Sequence, residues 1–242
     1  MPITSPNNDT LKEVRKLAGR RWRDKTRTFV AEGEDLVRAA GAAGWRPEAL
    51  LSEAGSGLGG EEVAAHLLKD VSQLGSGTRV LGVYPQRWAP APAGPVCVAL
   101  WGVNDPGNVG TVLRAALAFG AGSVALGPGT ADPYGPKAVR ASMGAIFEVP
   151  VVRVARVEEL PGRKVALAAR AGRALAELDA GDVTLVVGAE REGLPADVVA
   201  ACDETAHIPI RSESLNAAMA ATIALYEATR GADALDHRMN AA

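Results

Sequence analysis

The sequence predicts an α/β chain of two domains, a small mixed domain followed by a larger one built on a parallel sheet. A proline-rich stretch, YPQRWAPAPAGP at residues 84–95, marks the boundary, because proline fixes φ and lacks the amide hydrogen that helices and sheet ladders use. Beyond it, apolar runs of strand length alternate with helical segments, which is typical of a parallel sheet covered on both faces. We therefore expect domains at residues 1–85 and 96–242, joined by a linker at 86–95.

Both domains are expected to alternate helices with strands. In the first, the patterns predict helices at 9–20, 34–43 and 61–69, and strands at 28–31, 49–52 and 79–84. In the second, they predict strands at 96–101, 123–126, 149–154, 165–169, 183–187 and 206–208. The helices predicted between these strands span 109–119, 136–142, 196–201 and 215–229.

Charge is distributed unevenly along the chain. Residues 1–30 carry a net charge of +5, whereas the whole chain carries −2. Such asymmetry marks either a nucleic-acid contact or a solvated helix face. We expect a soluble, cytoplasmic protein without a membrane partner. The two cysteines are far apart in sequence, the N-terminus does not resemble a signal peptide, and no apolar run is long enough to span a membrane.

Three polar segments follow predicted strands, where open α/β sheets bind ligands. The first, residues 101–121, places Asn108 as a cap before a helix that carries Arg114. The second, residues 185–195, places Gly188 and Glu190 at a strand end. The third, residues 207–230, places Ser214 as a cap with Asn216 in the first helical turn. Taken alone, the first is equally compatible with a capped helix that carries a surface arginine, the second also matches an ordinary charged turn, and the third a normal capped helix.

Several common site types are excluded. The glycine fingerprint of dinucleotide-binding folds fails after Gly129, and neither a P-loop nor a nucleophile elbow occurs. This argues against the rival hypothesis of a nucleotide-dependent oxidoreductase. No CxxC pair is present, and His66, His207 and His237 have no ligand spacing, so no metal is expected.

Taken together, the three segments resemble the SpoU-TrmH family of RNA 2'-O-ribose methyltransferases. The family's first motif, N-x-G-x-x-x-R, stands here as Asn108, Gly110 and Arg114. Its second, G-x-E-x-x-G-L, stands at residues 188–194, and its third appears as residues 208–210 followed by 214–216. Residues 27–33 of the first domain resemble the L30e-like substrate-binding domain that often precedes this catalytic domain.

This resemblance implies a C-terminal trefoil knot that binds S-adenosylmethionine, and a homodimer packed through the C-terminal helix. The implied cofactor-binding residues are Gly188, Ile208, Ile210, Leu215, Ala168 and Ala169. The implied catalytic residues are Arg114, Asn108, Glu190, Ser214 and Asn216. A guanidinium is hard to deprotonate, so we expect Arg114 to anchor phosphate and orient the ribose hydroxyl rather than act as a base.

The expected partner is RNA. The first domain would supply affinity through Arg21, Arg23, Arg27 and Phe29, although core packing is an equal alternative for Phe29. The extra N-terminal domain favours large-subunit (23S) rRNA as substrate. A tRNA 2'-O-methyltransferase and a catalytically inactive RNA-binding protein of the same fold are the alternatives.

Overall fold

The computed structural model describes residues 1–73, 77–178 and 181–239, with side chains described as far as residue 230. The predicted end of the second domain, at residue 242, lies outside these residues. The chain forms two compact units. The first unit contains Met1–Arg87 and Asp132–Glu148, and the second contains Trp88–Ala131 and the chain from Val149 onward.

A four-stranded mixed sheet organises the first unit. The elements in chain order are α1 (Asp9–Leu17), α2 (Arg20–Thr26), β1 (Thr28–Glu32), α3 (Glu34–Ala42), β2 (Ala49–Glu53), β3 (Glu61–Val63), α4 (Ala65–Val71) and β4 (Val80–Pro85). The strands of the sheet lie in the order β1-β4-β2-β3, with β4 antiparallel to both β1 and β2, and β3 parallel to β2.

A seven-stranded parallel sheet organises the second unit. The elements are β5 (Val96–Trp101), α5 (Pro106–Ala118), β6 (Ser123–Leu126), β7 (Val151–Arg153), β8 (Arg163–Leu167), β9 (Arg173–Ala174), β10 (Val183–Gly188), α7 (Ala196–Ala200), β11 (Glu204–His207) and α8 (Ala217–Met239), while α6 (Pro136–Ala141) lies in the first unit. The strands lie in the order β7-β6-β5-β10-β8-β11-β9. The predicted mixed α/β class, with a small first domain and a parallel sheet in the second, is confirmed.

Two helix predictions in the first unit are corrected. The helix predicted at 9–20 breaks at Gly19, whose extended backbone (φ −89°, ψ 132°) ends one helix and begins α2. The helix predicted at 61–69 begins only at Ala65, because the three residues of β3 pair with β2 and bury Val63 completely. Pro85 also belongs to β4, opposite Thr28, so the first proline of the proline-rich stretch ends a strand.

Residues 132–148 join the core of the first unit although they connect β6 to β7 in sequence. Tyr134 and Phe147 pack with Phe29, their ring centroids 4.8 and 5.9 Å from it. The indole Nε1 of Trp45 donates to the carbonyl oxygen of Phe147 at 2.7 Å. This segment was predicted to belong to the second domain, but its apolar side chains complete the core of the first unit.

Candidate active site

The polar segments converge where the strand order reverses. Strands β5 and β10 are neighbours at the centre of the large sheet, and Gly188 lies opposite Trp101 at their carboxyl ends. Strands β6 and β7 lie on one side of this central pair, next to β5, whereas β8 and β11 lie on the other side, next to β10. Such a reversal opens a crevice above the strand ends, which is where open α/β sheets bind ligands.

The N-terminus of α5 frees Asn108 for the site. Asp105 is the cap, because its Oδ1 accepts from the amide of Gly107 at 2.6 Å. The prediction that Asn108 caps this helix is therefore wrong. Asn108 lies in the first turn after Pro106, where its side-chain amide is available for longer-range bonds.

A chain of hydrogen bonds joins three of the five predicted catalytic residues. The Nδ2 of Asn108 donates to Glu190 Oε1, and the Nδ2 of Asn216 donates to Asn108 Oδ1 at 3.0 Å. The Oδ1 of Asn216 accepts from the amides of Ala218 (2.9 Å) and Met219 (3.3 Å), so Asn216 caps α8. The prediction that Ser214 is the cap is corrected. The chain links the segments after β5 and β10 to the start of α8.

Gly188 is required by the turn that follows β10. A Cβ at this position would lie 2.3 Å from the carbonyl carbon of Gly193 and 2.5 Å from the amide nitrogen of Leu194. The chain doubles back there through an antiparallel bridge between Ala189 and Gly193, whose φ is +68°. The two glycines of the second motif therefore fold the loop that carries Glu190.

The three segments that follow β8, β10 and β11 enclose a cavity of about 550 Å³. All six predicted cofactor-binding residues line it, together with Glu190 and Ser214. Its apolar wall adds Leu167 and Val187, and its charged lining residues are Glu190, Arg191, Glu192 and Glu213. Its volume, its apolar wall and the backbone groups at three strand ends suit a nucleoside-sized ligand with a cationic group.

Sequence reasoning missed part of this lining. It did not identify Glu192 and Glu213, which are exposed and lie beside the predicted Gly193 and Ser214. It also missed Ala217 and Ala220 on the first turn of α8. Each of these residues lies within a few positions of a motif in the sequence, and this nearness was the signal that could have identified them.

Arg114 stands apart from the hydrogen-bonded residues. It is exposed on α5 and does not line the cavity. Six residues beyond Asn108, it lies about 9 Å farther along the helix axis. Among the residues whose side chains are described, neither Glu190 nor any other group forms a hydrogen bond or ion pair with Arg114. Its guanidinium is therefore available to an external anion.

Two of the four predicted RNA-binding residues are buried, and for these the prediction is wrong. Phe29 is fully buried among aromatic rings. Arg23, 4% exposed, donates to Asp132 Oδ2 at 2.9 Å and to the carbonyls of Leu17 and Ala18 at the end of α1. Both serve the core of the first unit, whereas Arg21 and Arg27 are exposed.

Both cysteines carry protonated thiols at neutral pH. Burial raises the pKa of Cys97. Burial, and secondarily the charge of Asp203, raises the pKa of Cys202 to about 11.

In the described part of the chain, no three His, Cys, Asp or Glu side chains are grouped as a metal site. Within those same residues, no helix has both the length and the apolar character to cross a bilayer.

Known proteins are similar to this chain in both sequence and fold. The 23S rRNA (guanosine(2553)-2'-O)-methyltransferase RlmP of Bacillus subtilis (strain 168) is 31% identical over 241 residues, covering 93% of this chain and 97% of that protein. An AdoMet-bound rRNA methyltransferase from Sinorhizobium meliloti superposes with a TM-score of 0.86 at 33% identity, covering 96% of this chain and 98% of that one. The AdoMet complex of the SpoU methyltransferase AviRb from Streptomyces viridochromogenes gives a TM-score of 0.83 at 27% identity, covering 93% of this chain and 98% of that one.

The family matches divide the chain in the same order as its folded units. Residues 8–84 match the MRM3-like substrate binding domain. Residues 95–226, more than half of the chain, match the SpoU rRNA Methylase family and include all three motifs. The chain therefore belongs to the SpoU rRNA methylase family.

Proposed function

We propose that this protein is an S-adenosylmethionine-dependent methyltransferase that modifies a ribose 2'-hydroxyl of 23S rRNA. The observation that carries the proposal is the cavity at the ends of β8, β10 and β11, together with the hydrogen-bonded residues Asn108, Glu190 and Asn216 beside it. Two relatives that cover both units are named as rRNA methyltransferases, which supports rRNA as the substrate.

The cavity fits the cofactor in size and chemistry. Ile208, Ile210 and Leu215 would pack against the adenine, while backbone groups at Ala168, Ala169 and Gly188 would form its hydrogen bonds. The carboxylates that line the cavity favour a cationic ligand. When bound, S-adenosylmethionine would supply an electrophilic methyl group attached to a sulfonium.

The residues beside the cavity would position the ribose. Asn108 is held between Glu190 and Asn216, so its amide has a fixed orientation. Ser214 lines the cavity and is exposed, which lets its hydroxyl contact the substrate. Arg114 would bind a phosphate next to the target ribose and orient the 2'-hydroxyl, because a guanidinium is a strong, permanently charged donor.

The predicted first domain, residues 1–85, would provide RNA affinity. Arg21 and Arg27 are exposed and have no ion-pair partner among the described side chains. Contacts of this kind with phosphate are independent of sequence and weaken with salt. The match of residues 8–84 to a substrate binding domain supports this role.

A homodimer through α8 is part of the proposal. One face of the helix is buried through Ala217, Ala221 and Leu225. The opposite face exposes Met219 (62%), Ile223 (38%) and Tyr226 (53%) at spacings of four and three residues. An exposed apolar stripe on a helix that is already packed favours a second protein surface.

The trefoil knot and the cytoplasmic location also remain proposals. The knot is supported by the return of α8, which follows β11 but packs on α5, β5 and β10 near the centre of the sheet. A cytoplasmic location would place the enzyme with its rRNA substrate.

One experiment separates the proposed function from its alternatives. The purified protein is titrated with S-adenosylmethionine and then incubated with methyl-labelled cofactor and unmodified 23S rRNA, 16S rRNA or tRNA. We expect cofactor binding and label in 23S rRNA alone. Label in tRNA would support the tRNA alternative. Cofactor binding without transfer to any RNA would contradict the proposal, and absence of both would favour the inactive RNA-binding protein.

A further inference from the structure

Some arginines of the second unit form ion pairs with carboxylates, and others do not. Away from the carboxyl ends of the strands, Arg163 pairs with Glu204 at 2.9 Å and Arg230 with Glu227 at 2.8 Å. By contrast, Arg170 and Arg211 are exposed and form no ion pair or hydrogen bond with any described side chain. These two arginines follow the neighbouring strands β8 and β11.

Arg170 and Arg211 lie in the loops after β8 and β11. These strands pair directly, with Leu167 opposite Ala206, so the two loops leave the sheet side by side, about 5 Å apart. The amide of Ala168 donates to the carbonyl of Ala206 at 2.9 Å, which ties the loops together at their base. The two loops that carry the arginines therefore begin at adjacent positions in the sheet.

Arg170 and Arg211 lie outside a cavity whose lining carries more negative than positive charge. Ala169 and Ile210, the residues immediately before the two arginines, line the cavity, whereas the arginines themselves do not. The charged residues of the lining are three carboxylates, Glu190, Glu192 and Glu213, and one arginine, Arg191, so the lining is negative in sum. Carboxylates inside suit a cationic cofactor, and free arginines beside the cavity suit an anion outside it.

We infer that Arg170 and Arg211 bind the RNA phosphates that flank the target nucleotide. This inference rests on the proposed function and adds a positioning surface on the second unit to the RNA contacts of the first. A ribose that receives a methyl group at the cavity keeps its own phosphates close to the cavity rim. Arginine binds such phosphates through two parallel hydrogen bonds, which holds the backbone in one orientation.

The test uses the full-length double variant Arg170→Gln/Arg211→Gln. Arg156→Gln is the matched control, because Arg156 is an exposed arginine that follows β7 at the opposite side of the sheet. RNA affinity is measured by anisotropy with a labelled single-stranded RNA of about 20 nucleotides over a salt series, and kcat and KM are measured with a 23S rRNA transcript. Titration with S-adenosylmethionine reports whether the cavity is intact.

We expect the double variant to reduce the slope of log K against log salt by about 0.7 for each arginine. The KM for 23S rRNA should rise roughly tenfold, with a smaller change in kcat, unchanged cofactor affinity and no effect in the control. An unchanged slope and KM in an active enzyme would overturn the inference and leave the proposed function standing, and an equal effect in Arg156→Gln would also overturn it. If the wild-type protein neither binds nor methylates RNA, both fail.

Discussion

Replacing Gly188 by alanine should damage the cofactor cavity. The new Cβ would lie 2.3 Å from the carbonyl carbon of Gly193, and ordinary contact begins at 3.4 Å, so the 188–193 turn must open by about 1 Å. The obstructing atoms belong to the backbone, so no side chain can move aside. A displacement of this size in a binding loop can cost up to about 100-fold in function. We expect S-adenosylmethionine affinity to fall at least about tenfold and the melting temperature to decrease.

Gly41→Ala is the control for this prediction. Gly41 lies within α3, and a Cβ there would meet no atom within 4 Å. Alanine should stabilise this helix by about 0.5–1 kcal/mol and leave cofactor binding unchanged. Calorimetric titration and thermal unfolding measure both variants. Wild-type cofactor affinity and melting temperature in Gly188→Ala would refute the account of this turn.

Three further predictions concern the hydrogen-bonded residues, the first unit and the cysteines. Asn108→Ala removes the link between Glu190 and Asn216, so kcat/KM for 23S rRNA should fall roughly 10- to 100-fold, measured by steady-state kinetics; an unchanged value would count against the positioning role. Asp132→Ala leaves the buried Arg23 guanidinium without its carboxylate and should cost about 3–5 kcal/mol of unfolding free energy in a denaturant titration, whereas a loss below about 1 kcal/mol would contradict the burial argument. Cys202, whose pKa is about 11, should react slowly with iodoacetamide at neutral pH and faster only as pH rises toward 11; a rate that levels off near pH 9 would disagree.

Strands β5 and β6 of the large sheet could be predicted because each is buried along its full length. Strand β6 was predicted with its observed bounds, and β5 as well, since Val96–Trp101 is buried at every position. Residues 61–63 could not be assigned in the same way. Glu61 and Glu62 match a helical pattern, and only their pairing with β2 makes them a strand.

The site shows a similar division between motif and geometry. The motifs identified Asn108, Glu190 and Asn216, but their order along the chain could not show that they form one chain of hydrogen bonds. Ser214 and Asn216 are both good capping residues, and only the backbone geometry of α8 selects Asn216.

The errors in the first unit have a common cause. Arg23 was expected at the surface because it lies in a basic run, yet its partner Asp132 is 109 residues away in sequence. Phe29 is covered by Tyr134 and Phe147, which come from the same distant segment. The residue types on either side of a position in the sequence do not predict which distant segment will bury its side chain.

The most direct test of the proposed activity is the chemical form of the methylated product. Unmodified 23S rRNA is treated with the protein and S-adenosylmethionine, digested to nucleosides and analysed by mass spectrometry, with alkaline hydrolysis to locate the modified ribose. We predict one 2'-O-methylated nucleoside and one backbone bond that resists alkali, both lost in Arg114→Ala. A methyl group on a base, or full modification by Arg114→Ala, would contradict the mechanism proposed for this site.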